Sequence, residues 1–184
     1  MSALRKHCEF FDLDKDGILT PLHTFQAFYS LLQYNLFMSL LGTALVHIFF
    51  SYATQPTWFP DPFFSIHLNA IQRCRHGSDS GIYDINGNFD ANRFMAITSL
   101  FCKATPGWMF GDAGAANVMA VNFWDGFRMT EAFRETFDFF GWIAAKIEWF
   151  FLFALVSKHG WVRVEDIKSM YDGSLFERIA KKNK

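Results

Sequence analysis

Asp12-Leu13-Asp14-Lys15-Asp16-Gly17-Ile18-Leu19-Thr20-Pro21-Leu22-His23 is the stretch on which the fold turns. Carboxylates at its first, third and fifth positions, a glycine at the sixth and the main-chain carbonyl of Ile18 at the seventh follow the plan of a calcium loop set between two helices. Alternating oxygen donors around a sharp turn suit a hard, roughly seven-coordinate cation. The candidate metal ligands are therefore Asp12, Asp14, Asp16, Ile18 and Thr20. The twelfth position should carry a bidentate glutamate, and here it is His23, a nitrogen donor poorly suited to calcium. Calcium is thus expected to bind weakly or not at all, and a loop that keeps the turn without the ion is the competing reading. No second acidic loop in register appears. Asp84 to Asp90 is the nearest imitation, and its Asn86-Gly87 pair between hydrophobic residues reads better as a hairpin turn over Tyr83 to Asp90.

Beyond the loop the charges stop. From Gly17 to Pro60 there is no Asp, Glu, Lys or Arg, and Leu36 to Phe50 (LFMSLLGTALVHIFF) is almost wholly apolar. That run is shorter than the ~20 residues a spanning helix needs, so a full span requires Gln33, Asn35 or Ser51 to be drawn in. Pro56, Pro60 and Pro62 follow at once and force turning or extended backbone. A segment that enters a lipid surface and returns fits this pattern better than a single span; a buried core helix of a soluble domain remains the alternative. Trp58 and its Phe neighbours suit a membrane interface and a core equally.

The downstream half has ordinary helical texture. Short helices are expected over His67 to Arg75, Asn92 to Lys103 and Val164 to Tyr171, and a long aromatic one over Trp124 to Val156 with a break near Gly141. Gly77 to Gly81 (GSDSG) is a flexible turn, and Lys181, Lys182 and Lys184 form a basic tail. The expected fold is mainly α: a helical domain with one EF-hand-like loop, a small β-hairpin and an apolar membrane-associated segment with a proline turn. A single domain over 1–184 is expected, comprising the loop 12–23, the apolar segment and proline turn 31–64, and a helical C-terminal part 65–184.

Composition excludes several functions. Lys+Arg 17 against Asp+Glu 18 gives a net charge of −1, without the basic excess that nucleic-acid binding demands. The charged fraction of 19% is low and Phe alone counts 24, too apolar for a disordered chain. Cys8, Cys74 and Cys102 form no CxxC pair, so neither a disulfide framework nor a thiolate zinc site is indicated. The N-terminus carries no secretory apolar run, and a reducing compartment is expected. HExxH, GxSxG, GxGxxG and P-loop motifs are absent. Of six histidines, His76 stands out because it lies between Arg75 and the small-residue turn.

Five segments in order give a resemblance over essentially the whole chain: KHCEFFDLDKDGILTP (Lys6 to Pro21), PTWFPDPFFSIHLNAI (Pro56 to Ile71), RHGSDSGIYDINGNF (Arg75 to Phe89), FDFFGWIAAKIEW (Phe137 to Trp149) and YDGSLF (Tyr171 to Phe176). In these the chain resembles the caleosins, the caleosin-type peroxygenases. The resemblance implies one calcium loop, a central apolar segment with a proline turn anchoring the protein to lipid droplets or endoplasmic reticulum from the cytosolic side, and a helical C-terminal half. It implies haem b as cofactor, organic hydroperoxides as oxidant, and oxygenation or epoxidation of unsaturated fatty acids. Two histidines are implicated in haem binding, and by motif they fall on His7 and His76. His76 is the expected proximal ligand and His7 the second histidine, with Arg73, Arg75 and Lys103 as candidate partners for haem propionates. The aromatic helix around Trp142 to Phe153 could line an acyl channel, although such spacing also describes a core. Against the family pattern, His23 stands where the loop normally ends in an acidic residue, and Gln72 stands where many members carry a further histidine. Two other readings share the scaffold: an oxidase of another lipophile in specialised metabolism, and a non-catalytic lipid-droplet coat or tethering protein. Oligomeric state has no signature.

Overall fold

The computed structural model describes residues 1–112 and 114–183. The chain forms two compact units, the first made of Met1–Arg75, Tyr83–Phe89 and Met170–Lys184, the second of His76–Ile82 and Asp90–Ser169.

In the first unit, α1 (Ala3–Glu9) starts at Ser2, whose hydroxyl accepts the Arg5 N–H. The acidic loop leads into β1 (Ile18–Leu19) and then α2 (Pro21–Gln26), which has proline in its first turn and Thr20 as its cap. A π turn over Ala27–Leu31 follows, then α3 (Leu36–Thr54), capped by Asn35. After the prolines come β2 (Ile66–His67) and a 3-10 helix, Leu68–Cys74. The strands β1 and β2 pair antiparallel, Ile18 opposite His67 and Leu19 opposite Ile66, and Leu68 N–H donates to the Gly17 carbonyl. This ribbon joins two helix–loop–helix halves. The second half has a single carboxylate in its loop, Asp61, which accepts the N–H groups of Phe63 and Ser65. It repeats the plan of the first without the ligands, so the sequence shows no second acidic loop although the structure has a second loop. Helix α8 (Leu175–Lys182) completes the unit, with Leu175 fully buried and Phe176 against Phe10 and Phe11.

Helix α3 is inverted relative to an ordinary core helix. Its buried residues are Ser39, Gly42, Thr43, His47, Ser51 and Thr54, whereas Leu36, Phe37, Leu40, Ile48 and Tyr52 are exposed. Ser39, Thr43, His47 and Ser51 recur every four residues and so make one stripe. Hydrogen bonds rather than apolar contacts attach that stripe. His47 Nε2 lies 2.8 Å from Thr24 Oγ1 and its Nδ1 lies 2.7 Å from the Phe64 carbonyl, Ser51 Oγ donates to the Ser65 carbonyl, and His67 N–H donates to Thr54 Oγ1. The apolar run is thus a helix longer than Leu36 to Phe50, and it buries its polar face.

In the second unit, α4 (Ala91–Phe101) is capped by Asp90, and β3 (Lys103–Pro106), β4 (Asn117–Asn122) and β5 (Trp161–Arg163) form an antiparallel sheet in the order β3-β4-β5. Helices α5 (Phe123–Ala132) and α6 (Phe139–Val156) pack as an antiparallel pair; a Cβ on Gly126 would lie 2.0 Å from Trp149 Cζ2, so only glycine permits this approach. Phe94, Ile97, Val121, Ala144, Trp149, Leu152 and Val162 form the core. Helix α7 (Val164–Tyr171) leads back into the first unit.

Several expectations need adjustment. The long helix breaks at residues 133–138 rather than near Gly141, because Phe137 takes a positive φ of 70° and Asp138 caps a new helix. The helix expected to reach Lys103 ends at Phe101, and Lys103 begins a strand. The short helix expected over His67 to Arg75 is a 3-10 helix over Leu68–Cys74, and the Asn86-Gly87 hairpin shrinks to one bridge, Tyr83 to Phe89, around Gly87 at φ 77°. The three-stranded sheet was not anticipated. Lys184 lies outside the described residues.

Candidate functional site

His7 sits in the last turn of α1. Its Nδ1 is 3.0 Å from the Met170 carbonyl, and a carbonyl can only accept, so that nitrogen carries the proton and Nε2 keeps its lone pair. Nε2 has no hydrogen-bond partner among the described residues. The ring packs 4.8 Å from Phe176. Desolvation by the surrounding protein lowers its pKa below the ordinary 6.5, only partly offset by the carbonyl bond. His7 is therefore a neutral imidazole of fixed tautomer.

His76 belongs to the second unit, at the start of the turn His76-Gly77-Ser78-Asp79-Ser80-Gly81. This turn is tied to the N-terminus of α6 by Asp138. Oδ1 of Asp138 accepts the Gly141 N–H at 2.9 Å, and its Oδ2 accepts the Ser78 N–H at 2.6 Å. Ser78 Oγ in turn accepts the Glu135 N–H. These bonds hold the carboxyl of Asp138 below its ordinary pKa, against the opposing pull of desolvation. His76 Nδ1 is buried 3.4 Å from Asp138 Oδ2, close enough for charge interaction but outside hydrogen-bond geometry, and has no hydrogen-bond partner among the described residues. The ring lies over Gly141, where a Cβ would come 2.1 Å from Nδ1. Gly141 is thus required for close approach, not for a helix break. Asp138 and Gly141 both lie in the motif FDFFGW, yet their service to His76 is a tertiary contact; the local signal was only an acidic N-cap followed three residues later by glycine.

The candidate propionate partners differ. Lys103 is committed to Asp125 at 2.6 Å, and Arg73 Nη1 donates to the Gln55 carbonyl. Arg75 is half-buried beside the turn.

The loop 12–23 brings its acidic ligands together. Asp12, Asp14 and Asp16 each offer a carboxylate oxygen within 4.8 Å of the others. Gly17 N–H donates to Asp12 Oδ2 and Ile18 N–H to Asp16 Oδ1, which fixes the turn. Thr20 Oγ1 accepts the His23 N–H as the cap of α2, and His23 Nε2 stands 3.7 Å from Asp14 Oδ2.

The profile described as caleosin related protein matches residues 1–180. The chain belongs to the caleosin family. A peroxygenase of Lilium longiflorum is 36% identical over 98% of this chain and 71% of its own length. A probable peroxygenase 4 of Arabidopsis thaliana is 33% identical over 97% of this chain and 85% of its own. A probable inactive peroxygenase-like protein of the same plant is 30% identical over 55% of this chain and 43% of its own length. No solved structure matches. As a caleosin, the chain carries the family's acidic loop with His23 at its closing position, and two helices, α3 and α6, long and apolar enough to cross a membrane.

Proposed function

We propose that this caleosin is a haem-dependent peroxygenase that uses organic hydroperoxides to oxygenate or epoxidise unsaturated fatty acids or similar lipophiles. The carrying observation is that His7 and His76 are two imidazoles whose Nε2 atoms have no hydrogen-bond partner among the described residues. The donor set fits haem. His76 can ligate through Nε2, with Nδ1 on the far side of the ring 3.4 Å from the Asp138 carboxylate. When bound, the haem supplies the redox-active iron at which the hydroperoxide O–O bond is cleaved and one oxygen passes to the substrate, leaving the corresponding alcohol. His7 is assigned as the second histidine. Its neutral Nε2 can take the hydroperoxide proton and return it to the departing alkoxide, which is general acid–base work. Arg73 and Arg75 are assigned to the propionates. Lys103 is not, because Asp125 engages it. The whole chain, 1–184, acts as one caleosin-like domain, with calcium weak at the loop.

The same reading places the protein on the cytosolic face of lipid droplets or endoplasmic reticulum. Supporting it, α3 turns Leu36, Phe37, Leu40 and Ile48 outward, and the following loop exposes Trp58, Phe59 and Phe63. The face of α3 that is attached to protein favours lying in the lipid surface over crossing it.

The test is reconstitution with haem, followed by cumene hydroperoxide and oleic acid with product analysis. A Soret band with epoxide is expected. Folded, colourless protein that floats with lipid droplets would favour the coat reading instead.

A further inference from the structure

We propose that the basic end of α8 is a docking surface for anionic phospholipid headgroups, set beside the start of α3 so that this helix meets a negatively charged lipid surface. The proposal rests on the reading of α3 as lying in a lipid surface. On α8, Arg178, Lys181 and Lys182 recur at spacings of three and four residues, so they share one face of the helix, and all three are exposed. Glu177 is the one acidic residue of α8. It stands 3.8 Å from Lys181 with both side chains more than half exposed, a weak ion pair that leaves the face cationic. Lys182 pairs with no carboxylate among the described residues.

The apolar face of α8 is already engaged with protein. Leu175 is fully buried, and the Phe176 ring packs 5.4 Å from Phe10 and 5.1 Å from Phe11. What α8 offers a membrane is therefore charge, held in a fixed place, and not an apolar face to insert.

That place is next to α3. Asn183, the C-cap of α8, donates its side-chain N–H to the Leu31 carbonyl at 3.0 Å, and α3 begins at Leu36. The peptides from Leu31 to Leu36 reach at most about 17 Å. Here the path is shorter, because Leu32 N–H folds back to the Ala27 carbonyl and Tyr34 N–H to the Phe28 carbonyl. The lysines thus lie near the end of α3 at which Leu36, Phe37 and Leu40 are exposed. Helix α3 has no charge of its own, since none occurs from Gly17 to Pro60. Its apolar contact with lipid is indifferent to the headgroups around it, whereas cations at its rim add attraction only where the lipid is anionic.

The experiment is flotation of the full chain with vesicles of phosphatidylcholine alone and with vesicles that also contain phosphatidylserine, at low and at high salt. We expect binding to the anionic vesicles to be tighter by about tenfold or more at low salt, and the advantage to be largely lost at high salt. Lys182→Gln should lose about fivefold on anionic vesicles and nothing on neutral ones, and adding Lys181→Gln should lose about fivefold more. Lys182→Arg should bind as the wild type does. Lys168→Gln removes the same charge from an exposed lysine of the second unit and should change neither affinity. Circular dichroism verifies that the variants fold. Equal binding to the two vesicles would overturn the proposal and leave the lipid reading of α3 standing. So would an anionic preference that survives the double lysine variant, or a loss shared by neutral vesicles or by Lys168→Gln. Absence of binding to either vesicle would remove both readings.

Discussion

The surroundings of His7 and His76 solve one problem in two ways. His7 sits at the end of a short helix, with Nδ1 held by a neutral backbone carbonyl. His76 lies in a small-residue turn beside a carboxylate that also caps a long helix. A carbonyl fixes a tautomer and adds no charge, whereas a carboxylate sets a negative charge beside the ring. The difference matches the work proposed for the two imidazoles, His76 as a ligand to iron and His7 as a neutral base. His7 is set by the main-chain carbonyl of Met170, while His76 lies against Asp138 and Gly141.

The largest expected effect comes from removing the base. His7→Ala should lower kcat about 10²- to 10⁴-fold while the Soret band persists; a band lost along with activity would make His7 a ligand and erase the distinction. Gly141→Val acts on the other side. Its Cβ would meet His76 Nδ1 at 2.1 Å and Asp138 Oδ2 at 2.3 Å, so the ring must move and haem retention in gel filtration should fall sharply, with His7 untouched. Asp138→Asn loses more than charge: its amide keeps one accepting oxygen, so the N–H of either Gly141 or Ser78 goes without its partner. It should weaken haem affinity or activity about 10- to 100-fold and shift the Soret maximum, with the thermal midpoint lowered as well.

A pH series sharpens the comparison further. The folded pKa of His7 lies below its unfolded value of about 6.5. Above that value the group is neutral in both states and its contribution to stability is complete. As pH falls below it, the unfolded chain takes up the proton first, so stability declines towards the folded pKa. The wild type should therefore lose stability below about pH 6.5 faster than His7→Gln does, as read by denaturant titration. The smallest effect concerns lipid. Phe37→Ser removes roughly 2 kcal/mol of apolar contact from an exposed side chain, so flotation with oleate-containing droplets should fall about tenfold or more with folding unchanged.

Legibility followed the period of the chemistry. The loop 12–23 was readable because its donors recur at fixed offsets, and α7 was readable from its amphipathic spacing. The apolar run around Leu36 to Phe50 was visible, but not which face it buries, because Ser39, Thr43, His47 and Ser51 are too few and too small to interrupt an apolar pattern. Strands of three to six residues such as β3, β4 and β5 show too little alternation to be read. The service of Asp138 and Gly141 to His76 joins segments far apart in the chain, which no local pattern encodes.

The most direct measurement is the visible spectrum and product yield of haem-reconstituted wild type beside His76→Ala, with cumene hydroperoxide and oleic acid. The account predicts a Soret band and epoxide in the wild type and neither in a folded His76→Ala. A folded wild type without haem, or a variant that keeps both band and product, would contradict it.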